Sequence, residues 1–394
     1  MKKYSFYYSI GLLFAFFGLT VFSYMRGLSL LPYGMMGILL LLMLSNFKLP
    51  ISRISPFAIL FVYEIFLIAV SFYNHDSIKG GIMMVVRFLV LTITVQFVIN
   101  QNFMAFLKAT YRFSQIYFVL NTVSCFLFRN GLVNDSSLRY PVYFLGTRNS
   151  MGSIIITLMV LNILYSHLLY GKINKKILIL NMVGAIAPIY LLSATSIIGI
   201  FFVIIFELID NVAWIQKLIN KLKMIHIYFV GIALFLIFEI LRLQEIFSFI
   251  IQGIFHKTIT MSARTYIWDK SIELIRQKSI LGYGIYDNSI LDVKYFIPDN
   301  THSFFFEVMM TGGIIGLFLV SFIFIILSNE KRIKSEFIKP YYWIKCYMLI
   351  IMIMGTSEAT NLYYGFFVFI VIAGYMLMPK HNRNLVIRKS LMRI

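Results

Sequence analysis

The sequence predicts an all-α membrane protein that crosses the bilayer about twelve times. Of its 394 residues, 60% are hydrophobic and only 13% are charged, well outside the range of soluble domains. Apolar runs of about 18 to 20 residues recur along the chain, each long enough to cross roughly 30 Å of hydrocarbon as a helix. We find no internal repeat, low-complexity segment or soluble domain, so residues 1–394 are expected to form one polytopic domain.

The predicted spans follow the apolar runs in order. They lie at about 6–25, 29–45, 57–73, 80–99, 113–128, 150–170, 177–193, 196–212, 226–242, 303–327, 343–358 and 361–378. The first run follows Lys2 and Lys3 without a small-residue cleavage site, so we interpret it as a retained signal anchor.

The basic residues between the spans indicate their orientation. With a cytoplasmic N-terminus, the cytoplasmic segments hold about 22 Lys and Arg, the other side about 12, and Arg87 lies inside a span. This bias follows the positive-inside rule and predicts that both termini are cytoplasmic. About 7 of the outer cations are arginine against about 6 of the inner ones, and arginine binds phosphate bidentately. The outer face is therefore expected to meet a phosphorylated ligand or, alternatively, to show only a chance excess.

Two outer segments are long enough to hold a site. One runs from Arg129 to Asn149, and the other is a large extracytoplasmic loop at residues 243–301. Within this loop, the stretch SARTYIWDKSIELIRQKS places apolar side chains on one face and charges opposite, as in an amphipathic helix at a membrane interface. A glycine-punctuated turn, ILGYGIYDN, follows it.

Several functional classes lack support in the sequence. The net charge of +19 is scattered between apolar runs and forms no stripe, which argues against nucleic acid as a partner. Cys125 and Cys346 lie in or beside apolar runs and predict neither a disulfide nor a zinc site. The outer loops contain no Asp-x-Asp pair, and no glycine-rich phosphate loop precedes a lysine. We therefore expect no metal, no cofactor and no ATP hydrolysis.

The outer candidates for chemistry are one histidine and several arginines. His302 opens the tenth span after Asp299 and Asn300, and its alternative interpretation is an interfacial residue without a task. Arg148 heads the sixth span and Arg264 precedes the amphipathic helix, where each could equally anchor the interface.

Of the charged residues that fall within predicted spans, three are singled out as functional candidates. Glu64 and Arg87 occupy consecutive spans and are expected to pair with each other. Glu358, in GTSEATN, is expected at the outer end of the eleventh span, where it either forms the floor of a site or meets water.

The order of these features resembles the O-antigen ligase and polymerase superfamily. In that family an arginine and a tryptophan lead an outer helix, a Gly-x-Gly turn follows, and a histidine opens a helix with a Gly-Gly-Ile-Ile-Gly segment. The matching residues here are Arg264, Trp268, Gly282, Gly284, His302, Gly312, Gly313 and Gly316. GTRNSMGS and LLSATSIIGI resemble two further family segments, and the likeness covers roughly residues 140 to 330. The chain departs from the family pattern at Ser303, often Asn there, and at Thr195, often Arg.

The resemblance implies a metal-independent glycosyltransferase that uses an undecaprenyl-pyrophosphate-linked oligosaccharide at the outer face of the bacterial cytoplasmic membrane. It implies that His302 is the general base and that Arg264 and Arg148 stabilise the leaving pyrophosphate. The residues expected to bind substrate are Arg139, Asp299, Asn149, Trp268 and Glu358.

Two activities of the superfamily remain open at this stage. We favour a polymerase that joins repeat units of a capsule, exopolysaccharide or O-antigen, with an O-antigen ligase as the alternative. A lipid-linked oligosaccharide flippase is the competitor from another class, although one large outer loop breaks the symmetry expected of a transporter. A peptidoglycan-type polymerase resembles the motifs less. Besides the lipid bilayer, the expected partners are a chain-length regulator and a flippase of the same pathway.

Overall fold

A computed structural model describes residues 5–25, 27–44, 55–74, 78–133, 141–243, 264–285 and 300–378. The helices are α1 Ser5–Leu13, α2 Leu31–Leu44, α3 Pro56–Tyr73, α4 Ile78–Leu127, α5 Arg148–Tyr170, α6 Lys175–Tyr190, α7 Ala194–Leu208, α8 Ala213–Lys221, α9 Met224–Phe235, α10 Arg264–Gln277, α11 Phe304–Leu327, α12 Ile338–Met354 and α13 Tyr364–Leu377. One antiparallel hairpin, β1 Val142–Tyr143 and β2 Gly146–Thr147, leads into α5.

These helices confirm the predicted all-α polytopic class. Within the described ranges, six helical segments are long and apolar enough to cross a membrane, and a seventh results if α8 and α9 form one bent span. Shorter apolar helices occur at Leu31–Met43, Ala194–Leu208 and Tyr364–Leu377. The total of twelve spans stays a prediction.

The fourth and fifth predicted spans lie on one long helical element, α4, which bends at Asn102. This residue has φ −164° and ψ 98°, outside the helical region. Its side-chain Oδ1 accepts a hydrogen bond from the backbone N–H of Ala105 at 3.0 Å. Asn102 therefore caps the second half of α4, which separates two apolar runs without a loop.

The central helix of the bundle is α5, which packs against α4, α6, α7 and α12. Of its most apolar stretch, 89% is buried inside the protein. Polar groups inside this core find partners: Asn162 Nδ2 donates to Asn181 Oδ1 at 3.3 Å. Because an unpaired buried amide is costly, this contact fixes the register of α5 against α6.

The short helix α8 was not predicted from the sequence. It is amphipathic, and the chain turns by 86° between α8 and the span that follows. The buried Lys345 Nζ donates to the carbonyl oxygens of Asn220 and Leu222 at 3.2 and 2.8 Å, and it pairs with Glu330 at 2.8 Å. A lysine that binds the last carbonyls of a helix stabilises its C-terminus.

A break inside α11 receives the glycine turn that follows α10. Gly313 has φ +58°, which interrupts the helix and frees nearby backbone groups. The N–H groups of Tyr283 and Gly284 donate to the carbonyls of Met310 and Thr311 at 2.8 and 2.9 Å. The Ile314 N–H donates in return to the Ser279 carbonyl at 2.8 Å. The break therefore anchors the end of α10 against α11.

Candidate active site

Glu358 follows α12 and joins two residues that the sequence singled out. Its Oε1 accepts a hydrogen bond from Nη2 of Arg264 at 3.1 Å, and its Oε2 lies 3.4 Å from Nδ1 of His302. The side chains of Glu358, Arg264 and His302 are 8%, 10% and 23% exposed. Because burial strengthens charge-assisted hydrogen bonds, the carboxylate holds the guanidinium and the imidazole in a fixed relation.

The backbone at His302 is held in an unusual conformation. Its φ is +52°, in the left-handed region that residues other than glycine seldom adopt. The His302 N–H donates to Oδ1 of Asn300 at 2.8 Å, and both the N–H and the hydroxyl of Thr301 donate to Glu307 Oε2 at 2.9 Å. Such a conformation costs on the order of 1–3 kcal/mol and persists where neighbouring contacts impose it.

The start of α11 fixes the position of this histidine relative to Glu358. The Ser303 hydroxyl caps the helix by accepting from the Phe306 N–H at 3.2 Å. The Phe304 N–H donates to the Gly355 carbonyl at 2.8 Å, which ties the start of α11 to the end of α12. Since Glu358 lies three residues beyond Gly355, these bonds place the Glu358 carboxylate beside the His302 imidazole.

A strip of small polar side chains leads from this site to the start of α5. The Thr195 and Ser357 hydroxyl oxygens are 3.4 Å apart. The Ser193 hydroxyl donates to Asn149 Oδ1 at 3.2 Å. The serine-rich break between α6 and α7 therefore links Asn149 to the residue that precedes Glu358.

The other predicted site residues have different surroundings. Arg148 is the first residue of α5 and is exposed, without an ion pair to any described residue. Trp268 is fully buried in the hydrophobic core, so in this structure it supports α10 and offers no surface to a ligand. Arg139 and Asp299 lie outside the described residues.

Glu239 is a site residue that the sequence analysis missed. It lies in a π-helical turn, Leu236–Ile240, that continues α9, and it is 1% exposed. The Glu239 carboxylate interacts with the Ser303 hydroxyl, next to His302, and electrostatically with Arg264. Its position inside a predicted span was the available signal, since an acidic residue there marks a functional candidate.

The expected pair between Glu64 and Arg87 does not form. Glu64 Oε1 accepts a hydrogen bond from Thr92 Oγ1 at 2.6 Å. The Arg87 guanidinium carbon instead lies 4.2 Å from the centre of the Tyr33 ring. The prediction was wrong because two residues on neighbouring helices meet only if both face the shared interface.

Tyr363 is the phenol closest in the chain to Glu358, and it lines a cavity with it. The Tyr363 side chain is partly exposed, and its phenol can donate a hydrogen bond to a ligand beside Glu358.

Fold and site together define a polytopic membrane protein with a shielded arginine, carboxylate and histidine cluster at the ends of its helices. Residues 140–321 match the model of a family described as O-antigen ligase. The match confirms the resemblance to the O-antigen ligase and polymerase superfamily and supports a sugar-transferring enzyme in general. No curated protein and no solved structure matches the chain. The matched range includes Arg264 and His302, whereas Glu358 lies beyond it.

Proposed function

We propose that the protein is a polysaccharide polymerase that joins undecaprenyl-pyrophosphate-linked repeat units at the outer face of the cytoplasmic membrane. The observation that carries this proposal is the double contact of Glu358 with Arg264 and His302. Through these contacts Glu358 holds the Arg264 guanidinium, which can stabilise a leaving pyrophosphate, beside the His302 imidazole, which can accept the proton of an attacking hydroxyl. Both groups are needed for glycosyl transfer.

In the proposed reaction, an acceptor hydroxyl oxygen attacks C1 of the donor sugar and the bond from C1 to the pyrophosphate oxygen breaks. The electron pair of that bond leaves on undecaprenyl pyrophosphate. Glu358 engages one N–H of the Arg264 guanidinium, and a guanidinium carries five such donors. The remaining donors are available to the pyrophosphate, so charge can be stabilised without a metal ion.

His302 is the proposed general base. A carboxylate only accepts hydrogen bonds, so the contact with Glu358 favours a proton on Nδ1 and leaves Nε2 unprotonated. Nε2 would take the proton of the acceptor hydroxyl as the new glycosidic bond forms. The partly exposed imidazole is accessible to an acceptor, whereas the carboxylate behind it is shielded.

A polymerase, an O-antigen ligase and a flippase would produce different products from the same donor. A polymerase lengthens the lipid-linked glycan, a ligase moves it to a different acceptor, and a flippase leaves its covalent structure unchanged. We favour the polymerase because the Ile-, Lys- and Asn-rich composition fits an AT-rich genome of a capsule producer without lipid A. Two incubations of the purified protein distinguish the three. A polymerase lengthens the glycan with the donor alone, a ligase transfers it only when a lipid-core acceptor is added, and a flippase leaves the donor intact in both.

Replacing either arginine by lysine is expected to slow transfer. Lysine at position 264 or 148 keeps the charge but loses the planar fork, which costs about 1.5–3 kcal/mol, or roughly ten- to a hundred-fold in rate. Initial polymerisation rates of Arg264→Lys and Arg148→Lys test this. Arg276→Lys on the exposed end of α10 is the control and should match the wild type. Unchanged rates in both test variants would mean that these arginines only anchor the protein.

The proposed orientation can be tested with thiol labelling. Cys125 and Cys346 are buried, so the native background is low. An impermeant maleimide applied to intact cells should label Asn288→Cys, in the proposed outer loop at 243–301, and should not label Glu336→Cys between α11 and α12. The Glu336 side chain is 45% exposed, so it becomes reactive once cells are permeabilised. The reverse pattern would contradict the orientation and the outer-face mechanism.

A further inference from the structure

A cavity of about 460 Å³ extends from Glu358 into the N-terminal half of the protein. Its lining includes Asn300 and Tyr363 at the site and Tyr33 and Arg87 on α2 and α4. Its volume lies within the range of roughly 300–1,000 Å³ that is typical of small-molecule sites. The cavity is therefore continuous with the candidate active site and large enough for a ligand.

Arg87 contributes the cationic side chain of this cavity. Its guanidinium lies over the Tyr33 ring and interacts with the Tyr364 hydroxyl, and its buried Nε donates no hydrogen bond. Among the described residues no carboxylate pairs with Arg87, and the acidic residue that lines the cavity, Glu358, is bonded to Arg264 and His302. An arginine within a span is costly unless a partner compensates for its charge, and the cavity beside Arg87 has room for an anionic partner.

The rest of the lining suits a saccharide. The hydroxyl groups of Thr20, Ser150 and Ser153 can exchange hydrogen bonds with sugar hydroxyls. The partly exposed rings of Tyr24 and Tyr363 present a surface against which the C–H face of a sugar can pack. A guanidinium among hydroxyls and aromatic rings matches a sugar that carries an oxyanion.

We propose that this cavity is a saccharide subsite in which Arg87 binds an oxyanion of the substrate. The oxyanion is either a phosphate of the lipid-linked donor or the carboxylate of an acidic sugar in the repeat unit, since the planar guanidinium binds both bidentately. The inference rests on the proposed function for the identity of the ligand. It adds the N-terminal helices, which lie outside the matched family range, to the substrate site.

Binding to the purified full-length protein in nanodiscs tests the subsite. The probes form two pairs: undecaprenyl pyrophosphate with undecaprenol, and cellobiuronic acid with cellobiose. In the pair that carries the natural oxyanion, the wild type should bind the anionic probe more tightly than its neutral counterpart. Arg87→Gln should weaken binding of that anionic probe roughly ten- to a hundred-fold and leave binding of the neutral probe unchanged. Selective loss for the pyrophosphate identifies the donor, and selective loss for the uronic acid identifies an acidic sugar.

Arg87→Lys and Arg112→Gln complete the experiment. The lysine variant keeps the charge in the cavity, so it decides the question if Arg87→Gln fails to fold. Arg87→Lys should weaken binding of the same anionic probe and keep the melting temperature of the wild-type protein. Arg112 lies exposed on the same helix and bonds to Gln115 at 3.0 Å, so its variant should bind as the wild type does. Wild-type affinity of folded Arg87 variants for both anionic probes would overturn the inference, as would equal wild-type affinity for charged and neutral members of both pairs.

These readouts separate the subsite from the proposed function. If the wild type forms no glycosidic bond but shows Arg87-dependent anion binding, the polymerase proposal fails and the anion subsite stands. If the wild type polymerises and Arg87→Lys binds and turns over normally, the subsite fails and the polymerase proposal stands.

Discussion

His302→Gln is expected to lower polymerisation on the order of a hundred- to ten-thousand-fold, the usual contribution of a general acid or base. Glutamine preserves size and hydrogen bonding but cannot accept a proton at neutral pH. The variant should reach wild-type levels in the membrane, because the glutamine amide can donate to Glu358 in place of the imidazole. Lipid-linked single repeats should accumulate in cells that carry it.

The matched control is His226→Gln at the start of α9. His226 Nδ1 accepts a hydrogen bond from the Lys223 N–H at 3.1 Å, a capping contact that glutamine can reproduce. This variant should polymerise at the wild-type rate. Near-normal polymer from His302→Gln would make the histidine an interfacial residue and remove the base from the mechanism.

Gly313→Ala is expected to abolish activity through the fold. A Cβ at this position would clash with the Ile280 carbonyl group, and the φ of +58° is unfavourable for any L side chain. Backbone strain and overpacking together should cost about 2–6 kcal/mol. The docking of the glycine turn onto α11 would be lost, and with it the connection that holds α10, which carries Arg264, against the helix that His302 opens.

Thermal unfolding in detergent and polymerisation rate measure this effect together. Gly37→Ala in α2 is the control, because no atom lies within 4 Å of an added Cβ there and its backbone is helical. It should keep the wild-type melting temperature. A Gly313→Ala protein with wild-type melting temperature and activity would show that the break in α11 is not required.

The sequence predicts the helical class well because lipid leaves the backbone no alternative to internal hydrogen bonds. It also brings forward His302 and Arg264, because both match the pattern of the superfamily that the sequence resembles. The Gly-Gly pair was a local sequence signal for the break at Gly313. The backbone groups that form hydrogen bonds at this break belong to residues about thirty positions earlier, which the local sequence does not indicate. Asn102 gave no comparable warning, because one asparagine between apolar runs is also typical of a loop.

Long-range contacts explain what the sequence could not supply. Glu358 is 94 positions from Arg264 and 56 from His302, so its bridging role depends on how the segment after α12 docks against the start of α11. The separation of Glu64 from Arg87 has the same origin, because helix rotation decides which neighbour a charge meets. Periodicity within one helix does not determine that rotation in a bundle whose spans are apolar on all sides.

The most direct test of the account is a single-turnover reaction of purified protein with an undecaprenyl-pyrophosphate-linked repeat unit in the presence of EDTA. Mass spectrometry would follow the glycan and the released lipid. The wild type should form lengthened glycan and release one undecaprenyl pyrophosphate for each glycosidic bond, and His302→Gln should bind the donor but form almost none. Equal rates of bond formation in the two proteins, or an intact donor after incubation with the wild type, would contradict the account.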